Sequence, residues 1–366
     1  MLKRIYIHNY RTFVNFEWSP PKACVLVGEN GSGKSSLMDV LWVLREIVVR
    51  GRAASVAKPS TSRTVWLHEP EQVFEVELSG ETESFRYRLN HRSDGKLSEI
   101  NEELYAGGQL VYRSGGGKVE LFRESSTSSY ITIPFERSRS YIPHLEYSDG
   151  SHRIEDFRRL IGSIWSIRPT PSRFDQVSGQ ESLGLHRSLS NFVDWYRIKI
   201  GQDPEAVAEM LRDVRDAVTG LSQLRLEPIS SEAKELRVRM SFGQKVHELR
   251  WSQLSEGQRL LIALYGMFRL SFSQASGYVL DEIENYVAPS EIQPFLRKLL
   301  DASAEADKQV IVISHHPESI NYLAADSIWR MWRDPVGGHT RIAKVEADLD
   351  SGETAYDLVK RGEPDA

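Results

Sequence analysis

Gly28-Glu29-Asn30-Gly31-Ser32-Gly33-Lys34-Ser35 is the stretch whose reading decides the fold. It follows the apolar run Ala23-Cys24-Val25-Leu26-Val27 and precedes residues 34–49, where Leu37, Val40, Leu41, Leu44 and Val48 recur at helical spacing. A continuous apolar run is expected of a strand covered on both faces, and the change of period marks a helix. Strand, glycine-rich loop and helix in this order satisfy the phosphate-loop pattern G-x-x-x-x-G-K-[ST]. Gly28, Gly31 and Gly33 let the backbone curl so that successive amides point inward, and the helix N-terminus adds partial positive charge toward a polyphosphate. Glu29, Asn30, Ser32 and Ser36 complete the cradle. Lys34 would reach the β- and γ-phosphates of a nucleotide, and Ser35 would ligand Mg²⁺.

Three further stretches carry chemistry. Tyr278-Val279-Leu280-Asp281-Glu282-Ile283-Glu284-Asn285 sets two carboxylates directly after an apolar strand. At the carboxyl edge of a sheet they would face bound phosphates, Asp281 as the Mg²⁺ partner and Glu282 as the group that polarises the attacking water. Taken alone, an acidic strand end is also a common solvated cap. Val310-Ile311-Val312-Ile313-Ser314-His315-His316-Pro317 ends another apolar strand in a polar turn. His315 is the candidate for a hydrogen bond to the γ-phosphate and His316 the turn residue, although spacing also allows the reverse. Leu254-Ser255-Glu256-Gly257-Gln258-Arg259 opens an apolar helix, where Ser255 is either an ordinary N-cap or part of a second anion-binding end.

Outward from these motifs, residues 3–10 alternate like a half-buried strand. From about 65 to 133, short alternating segments separated by Ser-Gly, Asp-Gly, Gly-Gly and Ser-Gly-Gly-Gly signals predict an antiparallel sheet. Between about 152 and 220 the spacing is helical, divided by Pro169, Pro171 and Pro204, with no long heptad run. The last third alternates strand and helix: 278–281, a helix from Pro289 to about Ala302, 310–313, a helix near 318–324 and a strand near Ile328-Trp329-Arg330-Met331-Trp332. Such alternation implies parallel strands, so the two ends are expected to share one sheet around an inserted middle. The expected boundaries are 1–150, 151–250 and 251–366.

Composition narrows the function classes. A chain of 366 residues, 40% hydrophobic, can bury a full core, and a lone cysteine cannot form an internal disulfide. No uninterrupted apolar run approaches the roughly 18 residues needed to span a bilayer, and the opening residues lack a signal-peptide core. A cytoplasmic location without membrane contact is expected. The net charge of −5, from 46 basic and 51 acidic side chains, gives no global attraction to nucleic acid. Residues 86–92, Arg-Tyr-Arg-Leu-Asn-His-Arg, and 137–139, Arg-Ser-Arg, combine positive charge with an aromatic in Tyr87, which suits either a solvated strand edge or a local phosphate contact.

The order of phosphate loop, Leu254-Ser255-Glu256-Gly257-Gln258, Leu280-Asp281-Glu282 and Ser314-His315 resembles the ABC-type ATPases. Glu256 stands where their LSGGQ signature has its first glycine, as in the SMC, RecF and OLD-like branch. Asp281-Glu282-Ile283-Glu284-Asn285 before a proline-led helix is similar to the DEPEN-x-x-HP form of AAA_21-type bacterial ATPases, as is Asn9-Tyr10-Arg11-Thr12-Phe13. The fold class implied is α/β: a P-loop ABC-type ATPase head with a mostly parallel core sheet, an antiparallel β lobe and an inserted helical lobe. ATP and Mg²⁺ are the implied cofactors. The resemblance also implies a homodimer in which Ser255 and Gly257 of one copy contact the γ-phosphate held by Lys34 of the other. Ala288 departs from the pattern, standing where relatives often carry His. Gln72 is the candidate for the Q-loop glutamine or else a surface strand residue, and Arg11 either approaches the phosphates or is an exposed loop residue.

Two roles follow from the resemblance. One is an ATP-dependent switch for a separate effector such as a nuclease, in phage defence or DNA metabolism, since roughly 50 residues after His315 leave little room for the nuclease domain of OLD-like relatives. The other is a RecF-like clamp that grips DNA through Arg86, Arg88, Arg137 and Arg139. A transporter subunit fits less well, because the insert between Lys34 and Ser255 is long.

Overall fold

Alternating burial along short strands builds most of the first half of the chain. The computed structural model describes residues 1–54, 62–93, 97–123, 129–145, 152–323 and 327–345. The chain divides into two compact units, Met1–Ile164 with Leu323–Ala366, and Trp165–Tyr322.

In the first unit, β1 (Leu2–His8) and β2 (Phe16–Trp18) form a hairpin, and β3 (Ala23–Gly28) leads through the phosphate loop into α1 (Lys34–Val48). β4 (Glu71–Ser79), β5 (Ser84–Ser93), β6 (Ser98–Ala106), β7 (Gln109–Gly115), β8 (Lys118–Phe122) and β9 (Ser129–Pro134) form a meander, and α2 (His152–Gly162) follows. The expected antiparallel sheet is therefore present, in the order β2-β1-β4-β5-β6-β7-β8-β9. Its turns use the expected glycines, with Gly107, Gly108, Gly116 and Gly117 at positive φ. The expected Asp94-Gly95 turn lies outside the described residues.

Strand β5 shows why the sheet is two-sided. Phe85, Tyr87, Leu89 and His91 are buried while Arg86 and Arg88 point outward. Phe157 of α2 covers the buried face, its ring 5.1 Å from Tyr87 and 6.0 Å from Phe85. Among these apolar groups the buried Glu102 carboxylate accepts from Tyr87 Oη (2.6 Å), Tyr112 Oη (2.9 Å) and Ser114 Oγ (2.8 Å). Burial, then the Glu102 charge, pushes both phenols well above their ordinary range.

The second unit contains β10 (Ile164–Ile167), β11 (Val177–Ser178), α3 (Phe192–Gln202), α4 (Pro204–Ala217), β12 (Leu221–Pro228), β13 (Lys234–Phe242) and β14 (Lys245–Arg250). It continues with α5 (Glu256–Ser271), β15 (Gly277–Asp281), α6 (Pro289–Glu305), β16 (Gln309–Ile313) and α7 (Pro317–Leu323). The helical middle thus also holds an antiparallel sheet, β12-β13-β14 with β11 beside β13; β12 to β14 lie beyond the helical spacing that ends near 220, whereas β11 falls within it. β15 and β16 are parallel in register Asp281↔Ile313, and both are buried throughout, as expected of strands covered on both faces. Back in the first unit, β17 (Ile328–Arg333) runs parallel to β3, and β18 (Thr340–Val345) is antiparallel to β17. No helix among the described residues is long and apolar enough to cross a membrane.

Candidate nucleotide-binding site

The phosphate loop has a backbone that only glycine tolerates. Gly28, Gly31 and Gly33 lie at φ 149°, 82° and 110°. A Cβ on Gly28 would lie 2.1 Å from Met331 O, and one on Gly33 would lie 2.9 Å from Thr340 Oγ1 and 3.2 Å from Phe13 Cζ. Tight surroundings at both ends therefore add to the conformational demand at the glycines. Glu29 O accepts from Ser32 N at 3.2 Å, closing the turn. Lys34 opens α1 and is 6% exposed, with Nζ donating to the carbonyls of Gly28 (2.6 Å) and Glu29 (3.0 Å). The ammonium is thus held over the loop, where a polyphosphate would lie.

A residue far along the chain props this loop. Thr340 Oγ1 donates to Ser32 O at 2.8 Å, across 308 positions, and Thr340 N donates to Thr12 O at 2.8 Å. Since its own proton goes to Ser32 O, Thr340 Oγ1 is the acceptor in its 2.6 Å contact with Thr12 Oγ1. No local signal in the sequence marks Thr340.

The Asn9–Asn15 turn lies alongside. Asn9, Arg11 and Asn15 have φ of 56°, 51° and 47°. Arg11 Nη1 donates to Asp39 Oδ2 (2.6 Å) and Ser36 Oγ (3.0 Å), which fixes Arg11 over the first turns of α1. Gln72, taken from sequence as either a Q-loop or a surface residue, is 1% exposed, and its Nε2 donates to Asn9 O at 2.7 Å. The surface reading fails because an uncapped carbonyl inside the turn needs a donor.

In the second unit, Asp281 is fully buried at the end of β15, with Arg168 Nε 3.5 Å from its Oδ2. Glu282 adopts a left-handed backbone, φ 52° and ψ 42°, and its amide donates to Ile313 O at 3.0 Å. Strain of this kind in a non-glycine residue persists where its surroundings over-determine it. Asn285 Nδ2 donates to Glu282 Oε2 at 3.2 Å, and His315 Nδ1 lies 3.8 Å from Glu282 Oε1. His315 keeps 52% of its side chain exposed, whereas the His316 amide donates to Ser314 Oγ at 3.1 Å. Ser314 Oγ in turn donates to the buried Glu284 Oε1 at 2.5 Å. His315, not His316, therefore stands beside the Glu282 carboxylate.

Ser255 caps α5. Its Oγ accepts from Gln258 N at 3.1 Å and Gln258 Oε1 accepts from Ser255 N at 3.0 Å, a reciprocal capping box. The hydroxyl proton is not consumed by that cap. Gly257 is also a packing requirement, since a Cβ there would lie 2.8 Å from Tyr286 O. Ala288 precedes α6, and its amide donates to Glu291 Oε2 at 3.4 Å.

The arginine-rich strands are neutralised within their own sheet. Register aligns Glu75, Arg88, Glu103, Arg113 and Glu120 across five strands, so opposite charges alternate along one row. Arg88 lies 3.5 Å from Glu75, Arg137 3.5 Å from Glu99 and Arg139 3.2 Å from Glu136, while Arg86 sits 4.3 Å over the Tyr105 ring. This pattern matches a solvated sheet face rather than an uncompensated basic strip.

The family model described as "AAA domain, putative AbiEii toxin, Type IV TA system" (AAA_21) matches residues 24–321. Among curated proteins, none matches this sequence. An SmcHead bound to the C-winged helix domain of ScpA superimposes with TM-score 0.60 at 14% identity, covering 96% of this chain and 99% of the other. An Smc head with an extended coiled coil, bound to the C-terminal domain of ScpA and derived from Pyrococcus furiosus, gives TM-score 0.52 at 14% identity, covering 96% and 97%. A strained glycine cradle, a lysine folded over it and an acidic strand end thus occur in a chain with the fold of SMC heads. The chain belongs to the AAA_21 family, and it has the P-loop ATPase-head fold of the SMC heads.

Proposed function

We propose that this chain binds Mg·ATP and hydrolyses it, pairing with a second copy around the nucleotide, and that the cycle switches a separate effector. The observation that carries the reading is the phosphate loop: a backbone shaped for inward amides, closed at Gly28 and Gly33 to any side chain, under a lysine ammonium. Such a cradle fits a polyphosphate. Ser35 and Asp281 would hold Mg²⁺, hard oxygen donors of the kind it takes, with phosphate oxygens and water as the remaining ligands. Bound Mg²⁺ supplies neutralising charge at the phosphate oxygens.

Lys34 anchors the β- and γ-phosphates. Glu282 orients the attacking water and takes its proton, Asn285 steadies that carboxylate, and His315 donates to the γ-phosphate. Ser255 and Gly257 act on the nucleotide held by the opposite protomer, which makes hydrolysis depend on association. Closing the dimer changes its outer surface, and an effector such as a nuclease reads that change. The family description, which names a putative toxin of a type IV TA system, supports a role in defence against phage, and DNA metabolism is the wider setting.

Fluorescent-nucleotide titration and phosphate release test this. Lys34→Ala should abolish binding, whereas Glu282→Gln should keep ATP, slow turnover by about 10²- to 10⁴-fold and elute as a dimer with ATP. Wild-type turnover by Glu282→Gln would refute the assignment.

A further inference from the structure

The hairpin that props the phosphate loop also packs against the aromatic ring of Trp66. Thr340, bonded to Ser32 O, starts β18, and the turn before it is fixed by its own hydrogen bonds. Asp334 Oδ1 accepts from the amides of Val336 and Gly337, both at 2.9 Å, and Asp334 N donates to His339 O at 2.8 Å. Arg333 Nε donates to Gly338 O at 2.5 Å, which lays its guanidinium 5.3 Å from the Trp66 ring centroid. A Cβ on Gly338 would lie 3.9 Å from Trp66 Cζ2, so the turn backbone abuts the indole.

The segment that carries Trp66 is tied on its other side to the Asn9–Asn15 turn. Thr64 N donates to Asn9 Oδ1 at 3.1 Å, Thr64 Oγ1 donates to Phe13 O at 3.4 Å, and Leu67 N donates to Thr64 O at 3.1 Å. The indole therefore hangs on two anchors, the Asn9–Asn15 turn and the β17–β18 hairpin, both of which touch the loop that carries Lys34. Even so it remains 41% exposed, with Val65 beside it at 87%. A large ring held in place and left to water costs hydrophobic free energy unless something covers it.

We propose that Trp66 is the base platform of the nucleotide site, stacking on the purine of the nucleoside triphosphate whose phosphates Lys34 holds; this rests on the reading of the phosphate loop given above. The base of such a nucleotide emerges one ribose away from the loop, and every nucleobase offers a π-face to an indole. Arg333, placed against the ring, adds a cation–π contact that keeps the platform in position. Recognition of this kind grades ligands by ring area rather than by hydrogen-bonding edge. The site should prefer purine to pyrimidine nucleotides and separate ATP from GTP only weakly.

Calorimetric titration of the full chain with ATP, CTP and inorganic tripolyphosphate tests the proposal. Trp66→Ala should weaken ATP by about tenfold and leave tripolyphosphate unchanged, and Trp66→Phe should recover most of the loss. The chain has 8 tryptophans, and the ATP-dependent change in indole fluorescence should be the part that vanishes in Trp66→Phe. Unchanged ATP affinity in Trp66→Ala overturns the proposal. So does an equal loss of ATP and tripolyphosphate, which would make the indole a prop for the loop, and so does loss of dimerisation with ATP affinity intact. Wild-type protein that binds neither ligand would sink the phosphate-loop reading itself, a result separable from failure of the base platform alone.

Discussion

Replacing Thr340 by valine removes one hydroxyl and little else, since the two side chains have nearly the same shape. Thr340 and Ser32 are each 1% exposed, and the bond between them is 2.8 Å long. Valine would leave the Ser32 carbonyl facing a methyl group inside the protein, where water cannot replace the lost donor. Stranding a buried acceptor costs about 1–3 kcal/mol, which should appear as a lower urea midpoint. The same bond holds the phosphate loop in its curled form. A loop that must be ordered on binding takes its cost from affinity, so ATP should bind about tenfold more weakly, the equivalent of roughly 1.4 kcal/mol. Thr340→Ser keeps the hydroxyl and should bind ATP nearly as the wild type does. Urea unfolding and calorimetric ATP titration on the three proteins decide the matter. If Thr340→Val loses stability but keeps wild-type affinity, the bond is scaffolding only and the preorganisation argument is wrong.

Two further outcomes follow from the second unit. Ser255→Arg should cost about 1 kcal/mol through the lost cap. It should also leave the ATP affinity of the monomer intact and keep Glu282→Gln monomeric with ATP by light scattering; wild-type hydrolysis in Ser255→Arg would dismiss the shared site. Asp213 accepts from Arg269 Nε at 2.6 Å and Lys298 Nζ at 2.7 Å, joining α4, α5 and α6. Asp213→Asn should destabilise by about 2–3 kcal/mol, less than a fully buried pair because Arg269 and Lys298 keep 28% and 37% exposure. Burial opposes the Asp213 charge, but the bonds from Arg269 and Lys298 outweigh it and hold the carboxyl below its ordinary value. A depressed folded value means that this stabilisation is complete above the unfolded aspartate pKa of about 3.9 and is lost as pH falls through the lower folded value. The gap in urea midpoint between wild type and Asp213→Asn should therefore close below about pH 4; a gap that stays constant to pH 2.5 would contradict the ion-pair account.

What could be read from the sequence is what is encoded locally. The phosphate loop announces itself because turn, cradle and helix start occupy consecutive residues, and Ser255 with Gln258 spells its own capping box. Strand ends at Asp281 and Ile313 were legible from apolar runs, and the antiparallel meander from alternation and glycine turns. Thr340 was not, since its partner is 308 positions away and threonine at a strand start is commonplace. Gln72 looked like an ordinary strand polar residue until the Asn9 carbonyl it serves was seen. The arginines of β5 suggested phosphate contact only while the glutamates opposite them were out of register on the page. β12 to β14 escaped notice because their burial is partial; β14 has hardly a buried position to mark a period.

Gly257 has a mechanical consequence. With no side chain between them, the first turn of α5 and the backbone at Tyr286 are in direct contact. A displacement delivered to Ser255 from outside is passed to the 282–286 segment through main chain alone, with no soft rotamer to absorb it. Any larger residue would act as a shim, so whatever meets that helix tip is registered within the stretch that begins at Glu282.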